Sequence, residues 1–368
     1  FSPAVLERVA ERLRRTGIFA SVALTENEVI TAPDLLGIGL AVVEELPRRY
    51  TFGAEISSNE GATISAGWLH RNLFGGGERF EVKGEVAQIG AQTSGQDFSF
   101  ATTLSRPATI TPDTTASVGF EVGRLDEADY TSDYVTASLG FTHYLSRRIT
   151  LRAGLEYAYE DVTDITGSYT YKNLSLPLGL TWENRDKPLD AKRGTYLDVE
   201  LRPFAGQGDT GSGVRFTADA RGYRTFGDRV TLAGRAQVGL VSGPSLLETP
   251  REYLFFSGGG GTVRGQPYQS LGVSVLRSDF NIGGQAFLGL SAEARVRVTE
   301  RIGIVGFYDW GQVGGLDFDD GLAGSHAGAG LGIRYDAGFA PIRLDVAAPV
   351  SGNTGDGVQI YVGIGQAF

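Results

Sequence analysis

From about Arg49 to the final Phe368, apolar side chains recur at every second position. Leu197, Val199 and Leu201 alternate with Tyr196, Asp198, Glu200 and Arg202. Leu288, Leu290, Ala292, Ala294, Val296 and Val298 alternate with Phe287, Gly289, Ser291, Glu293, Arg295 and Arg297. Val358, Ile360, Val362, Ile364 and Phe368 do the same against Gln359, Tyr361, Gly363, Gly365 and Ala367. Successive strand side chains point to opposite faces, so each segment has one greasy and one wet side. About sixteen such segments can be counted, most near the ~9–11 residues that cross a bilayer at a tilt. Short turns (Asn59-Glu60-Gly61, Phe226-Gly227-Asp228, Thr299-Glu300-Arg301) alternate with longer connections, the longest at about 243–284. A soluble β-sandwich also alternates. Strand number, strand length, short and long connections in alternation, and the terminal phenylalanine favour a transmembrane antiparallel β-barrel. Tyr50, Phe52, Tyr130, Tyr134, Tyr144, Tyr157 and Tyr159 lie near strand ends and are expected in an aromatic girdle. The apolar set is then expected to face lipid and the charged set the lumen.

Composition narrows the function classes. A formal net charge of −10 argues against nucleic acid as a partner. With no cysteine among 368 residues, disulfides and thiolate metal sites are excluded. No apolar run approaches the ~18 residues of a spanning helix. His70, His143 and His326 are scattered, and neither a nucleophile elbow nor metal-ligand spacing occurs. Gly258 to Gly261 lacks the Lys-Ser/Thr of a phosphate cradle. Asp317, Asp319 and Asp320 do not follow a calcium-loop spacing. The reading is of a non-enzymatic chain without cofactor or metal.

Residues 1–48 differ from the rest. Ser2 and Pro3 suit a helix start, Leu6, Val9, Ala10 and Leu13 keep helical spacing, and Gly17 suits its end. Phe19 to Leu24 and Gly39 to Val43 read as two short strands. One helix and two strands are too little for an independent core. They are expected to be the C-terminal part of a small α+β domain, with the barrel occupying 49–368.

An ordered set of motifs resembles the TamA/BamA superfamily of outer-membrane assembly factors, the TamA branch in particular. Thr262-Val263-Arg264-Gly265-Gln266-Pro267-Tyr268, after Phe255-Phe256-Ser257 and four glycines, is similar to the family's aromatic-Gly-Gly and Val-Arg-Gly-aromatic loop. Gln266 stands where the family carries an aromatic. Gly67-Trp68-Leu69 through Gly75, Asn184-Arg185-Asp186 through Gly194, and Gly306 through Gly311 resemble further family segments. So do Gly330 through Tyr335, Pro341 through Ala347, and Gly365-Gln366-Ala367-Phe368. The resemblance implies that residues 1–48 end a polypeptide-transport-associated (POTRA) domain in the periplasm, and that the barrel lies in the bacterial outer membrane. It also implies nascent β-barrel clients, autotransporters among them, and a TamB-type periplasmic partner. Within the superfamily, the alternatives are a central BamA-type assembly barrel and a two-partner secretion pore. A diffusion porin is the alternative of another class.

Two places carry a candidate mechanism. The long connection exceeds the ~12–15 residues of a passive loop, so it is either a floppy surface segment or a functional one folded into the lumen. Glu293 falls on the charged side of its strand, and Asp309 alternates with the lipid-facing Tyr308 and Trp310. Both acids are expected to point inward, and the resemblance makes them the dock of Arg264, with Val263 and Gly265 beside it. The second place is the closing seam. The first strand, about 49–58 (Tyr50, Phe52, Ile56, Ser57), is expected to pair with 358–368 (Ile360, Val362, Gly363, Ile364, Gly365). Glycine weakens or kinks a strand, although it also simply fits a crowded lumen. A weakly paired seam exposes an edge that templates a new strand, a route to insertion without ATP. Phe368 is expected at the membrane boundary, with its ring in lipid.

Overall fold

The computed structural model describes residues 2–368 apart from 33–34, 59, 92–93, 276–280, 317, 319–320, 322 and 339. Asp317, Asp319, Asp320 and the turn residue Asn59 therefore lie outside the described residues. The chain opens with helix α1 (Pro3–Arg15) and a two-stranded sheet, β1 (Phe19–Ala32) with β2 (Leu35–Glu44). Ser2 occupies the cap position in an extended conformation, but its side chain makes no cap bond. Gly17, at φ +69, turns the chain after the helix. Both strands run longer than the alternation suggested.

The barrel consists of β3 (Arg48–Ser57), β4 (Gly61–Arg71), β5 (Arg79–Ile89), β6 (Asp97–Arg106), β7 (Thr114–Asp126), β8 (Tyr130–Tyr144) and β9 (Ile149–Asp164). It continues through β10 (Gly167–Ser175), β11 (Leu178–Glu183), β12 (Gly194–Gly208), β13 (Gly213–Phe226) and β14 (Val230–Ser242). It ends with β15 (Ala286–Arg297), β16 (Ile302–Gly314), β17 (Gly324–Asp336), β18 (Pro341–Ser351) and β19 (Gln359–Ile364). All neighbours are antiparallel, and β10 and β11 each pair with both β9 and β12. They are two halves of one strand interrupted at Leu176-Pro177, where proline has no N–H to give the ladder. The result is a closed sixteen-stranded barrel.

Closure pairs strand with strand around the ring, the β19–β3 contact being short, and such pairing is what lets strands cross hydrocarbon. The alternation resolves as the physics requires. Leu201, Leu290, Ile304, Leu331 and Leu344 are exposed on the outside, while Glu293, Arg295, Asp309 and Asp345 are buried within. Tyr50, Phe52 and Tyr157 do project outward. Tyr130 and Tyr134 do not join a girdle: Tyr130 is buried, and the Tyr134 hydroxyl donates to Glu121 at 3.0 Å. Both fall on the lumen register of β8, whose outward positions are Val135 and Leu139.

Helix α1 is held against the short turns at one end of the barrel. Arg12 and Arg15 each donate to Asp113 at 3.0 Å, and Arg147 donates to Glu11 at 3.0 Å. On an unboiled denaturing gel this barrel should run as a compact band that shifts on heating, and it should need detergent to stay monodisperse. A monomer soluble without detergent would contradict the outward placement of the apolar set.

Candidate functional site: the inner loop and the seam

The described part of the connection between β14 and β15, residues 243–275 and 281–285, folds into the lumen. Tyr253, Phe255 and Leu271 from the loop pack with Phe204, Val241, Phe287 and Val313 of the wall, forming an apolar footing inside the lumen. Gly265 lies at φ +93, and a Cβ there would meet the Ala348 backbone at 2.7–3.0 Å. Only glycine lets the loop backbone approach the wall so closely.

That approach carries Arg264 to a cluster of acids. Its Nε and Nη2 donate to the two carboxylate oxygens of Asp309 at 2.7 and 3.0 Å. Its Nη1 donates to Glu293 Oε1 at 2.7 Å and lies 3.4 Å from Asp345 Oδ2. The guanidinium sits 3.6 Å from the Phe307 ring centroid, a cation–π stack. Fork geometry and stacking both use the planar guanidinium, which lysine cannot imitate. Val263 beside it is fully buried.

Three of these participants were not singled out from sequence. Asp345 is a third acid, although its alternation with Leu344 and Val346 already placed it inward. Arg295 pairs with Glu293 at 2.8 Å, and Arg334 pairs with Asp345 at 2.5 Å. Three buried carboxylates thus face three buried guanidiniums, so no net charge is stranded in the wall. Gln266, in place of an aromatic, is also buried: its amide donates to Ala327 O and Ser351 O at 2.8 and 3.0 Å, and its Oε1 accepts from Thr354 at 2.9 Å. His326, one of three histidines scattered in the sequence, is wholly buried and bonded to Ser257 and Thr354.

At the outer end the loop leans on the β7–β8 turn. Glu127 accepts from Tyr268 at 3.3 Å and Gln269 at 3.2 Å. Burial pushes the Glu127 carboxyl up to about 7, and the nearby Asp97 charge adds to the rise.

The seam differs from every other strand contact. β19 aligns with β3 only at Tyr361–Ser57 and Val362–Ile56. Ser58 adds a backbone bond to Ile360 O at 3.1 Å and a side-chain bond to Gln359 at 3.0 Å. By comparison, the β18–β19 contact aligns from Ala347–Gln359 to Ile342–Ile364. Ile56, Ile360, Val362 and Ile364 face outward, as do Tyr50 and Phe52. The last strand stops at Ile364, short of the predicted end. Gly365, at φ +90, turns the tail inward, where its N–H donates to Pro341 O at 2.7 Å. Phe368 is consequently not in lipid. It packs on Ala191, Tyr223 and Ala233, and its carbonyl accepts from Arg295 at 3.0 Å. Gly363 leaves room that a side chain would fill: a Cβ there would stand 2.9 Å from Arg343 Nε. Arg343 crosses it to reach Glu55 of the first strand at 2.7 Å.

A closed sixteen-stranded barrel with an arginine-anchored inner loop and an underpaired seam defines the class: an outer-membrane barrel whose lumen is occupied by its own chain. The Omp85 superfamily domain matches residues 72–368, and the chain belongs to that superfamily. Its fold is similar to BamA from Haemophilus ducreyi lacking POTRA domains 1–3, with TM-score 0.79, 17% identity, and coverage of 99% of this chain and 79% of that one. It is also similar to CdiB from Acinetobacter baumannii (TM-score 0.71, 14% identity, 98% and 67% covered). CdiB from Escherichia coli gives TM-score 0.64 at 15% identity, with 99% and 71% covered.

Two outcomes are expected. Arg264→Ala should leave buried carboxylates without their shared cation, a change of about 3–5 kcal/mol when one partner of a buried pair is lost. The loop should then become protease-sensitive in a barrel that still shows the heat shift, and Arg264→Lys should fall between. Wild-type resistance in Arg264→Ala would show the arginine to be dispensable for docking. Separately, the folded value of Glu127 stands above its ordinary ~4.3, so its stabilising contribution is full below that value and declines as pH rises through about 7. Cleavage at 267–270 should increase from pH 6 to pH 8 in the wild type, and Glu127→Gln should flatten that dependence.

Proposed function

We propose that this barrel assists the insertion and folding of other outer-membrane β-barrel proteins, autotransporters among them, by opening laterally between β3 and β19. The observation that carries the reading is the seam: two aligned residue pairs join the first and last strands, whereas the neighbouring β18–β19 contact spans all of β19. Each ladder bond contributes only ~0.5–1.5 kcal/mol net, so so short a contact opens at modest cost. The freed edge of β3 then offers unpaired N–H and C=O groups to a client strand, as in strand addition elsewhere. Exposed Tyr50, Phe52 and Ile56 on its outer face suit a strand that remains in lipid while it exchanges partners.

Superfamily membership supports assembly or secretion in general. The TamA branch is our finer reading, and it rests on the order of the sequence motifs. In that reading α1 with the β1–β2 hairpin ends a periplasmic POTRA domain. Its ionic contacts with Asp113 and Arg147 support a fixed position beneath the barrel. A TamB-type partner and nascent client chains would meet it on that side.

The chain has no cysteine, so one engineered pair reports the seam cleanly. Ile56→Cys with Val362→Cys joins two aligned positions of β3 and β19. Oxidised, this barrel should keep its heat shift and lose client insertion, with recovery on reduction. Insertion at full rate through the locked barrel would rule out lateral opening. Continued export of a soluble partner by the locked barrel would instead favour a secretion pore.

A further inference from the structure

The inner loop is attached to more than the wall that holds Arg264. At its start, Arg251 donates to Asp164 Oδ2 at 2.6 Å, with both side chains wholly buried. Tyr253 donates to Asn173 at 3.0 Å, and Tyr171 donates to Leu247 O at 2.8 Å. Asp164 ends β9, and Tyr171 and Asn173 lie on β10. Counted around the barrel from β3, these are the seventh and eighth of sixteen strands, directly across the lumen from the seam.

Further along, the same loop reaches both sides of the seam. The Gly260 N–H donates to Glu60 Oε1 at 2.9 Å, and Glu60 lies in the turn that follows β3. The Gly265 N–H donates to the Tyr361 hydroxyl at 3.1 Å, and Tyr361 lies on β19. The glycine backbone is what brings the donors in: a Cβ on Gly259 would stand 2.5 Å from Glu60 Oε1. Arg264 itself binds β15, β16 and β18, all on one side of the seam, so it does not hold the first strand.

We propose that the loop is a strap, anchored to the far wall by Arg251–Asp164 and fastened across the seam by Glu60 and Tyr361, which keeps β3 and β19 in register until it is released. The proposal rests on the reading of the seam as the moving part. Geometry supplies the coupling. β3 cannot leave β19 while the strap holds a residue beside each, so opening requires loss of the Gly260–Glu60 bond, the Gly265–Tyr361 bond, or the anchor that tensions both. Glu60 and Tyr361 are thus positioning residues for the seam and Arg251 a positioning residue for the strap, distinct from the arginine that docks the loop on the wall.

The test reads the barrel alone, in detergent and without client. The parent carries Ile56→Cys and Val362→Cys, and the measurement is the rate of disulfide closure under mild oxidant. Glu60→Ala and Tyr361→Phe, each added to the parent, should slow closure several-fold, because the seam spends less time in register. Glu60→Gln keeps a carbonyl acceptor for the Gly260 N–H and should close at the parent rate. Arg251→Met with Asp164→Leu removes both partners of the far anchor together. It too should slow closure, at a site across the barrel from the change, which a purely local packing defect would not do. The heat shift on gels verifies folding in each case, and if the double variant does not fold, the two seam variants decide. Closure at the parent rate in both Glu60→Ala and Tyr361→Phe overturns the strap, as does slowing in Glu60→Gln equal to that in Glu60→Ala. Neither result bears on client insertion, which is read separately with the oxidised lock.

Discussion

The structure depends on how it keeps charge inside a membrane protein without stranding it. An unpaired buried carboxylate or guanidinium is costly, and pairing repays the desolvation only when the geometry is good. Here Glu293, Asp309 and Asp345 project from three strands toward one point of the wall, and Arg264 arrives from the loop to bridge all three. Arg295 and Arg334 take the remaining oxygens. Such a cluster contributes less to net stability than its bond count suggests. Its effect is positional, because an alternative loop placement would leave three acids facing two cations. The loop is therefore specified by the wall, although its glycine-rich backbone has little conformational preference of its own.

The same cluster reaches the chain's end. Arg295 donates to the carbonyl of Phe368, and Arg334 donates to Gln366 Oε1 at 2.9 Å. The tail is thus drawn inward by the cations that flank the loop's arginine, and it is unavailable to extend the ladder with β3. A short seam is one consequence of where the charges sit. Tail and loop share Glu293 and Asp345 through their arginines, so rearrangement of either is felt by the other.

Much of this was legible in the sequence, because alternation encodes the inside and outside of a strand directly. Glu293 and Asp309 could be assigned inward from their neighbours alone, and the same rule, applied to Leu344-Asp345-Val346, would have supplied Asp345. What alternation does not encode is register between strands. That Glu293 lies opposite Phe307, and Asp309 opposite Ser291 and Gly328, is a pairing fact that no single strand contains. The contacts of Glu60 with Gly260 and of Arg251 with Asp164 join residues far apart in sequence, through a loop without periodicity. Tyr130, Tyr134 and Phe368 were misplaced for a related reason. Aromatic character suggested lipid, but strand parity for the tyrosines and the left-handed turn at Gly365 for the tail decided the direction.

Gly363 shows how a position read as a weakness has a second physical reason. With no side chain there, Arg343 passes from β18 over β19 to Glu55 on β3, an ion pair that spans the last strand. Glu55 is 54% exposed, so solvent screens the pair, and exposed pairs contribute ~0–1 kcal/mol. Below Val362, among the described residues, one screened ion pair stands where the β18–β19 contact has its full ladder. A backbone edge facing hydrocarbon demands hydrogen-bond partners, and the inward turn of the tail leaves the adjoining edge of β3 without a strand to provide them. Under the proposed function, the segment Arg48–Glu55 is where an incoming strand would gain most, since β19 does not pair it.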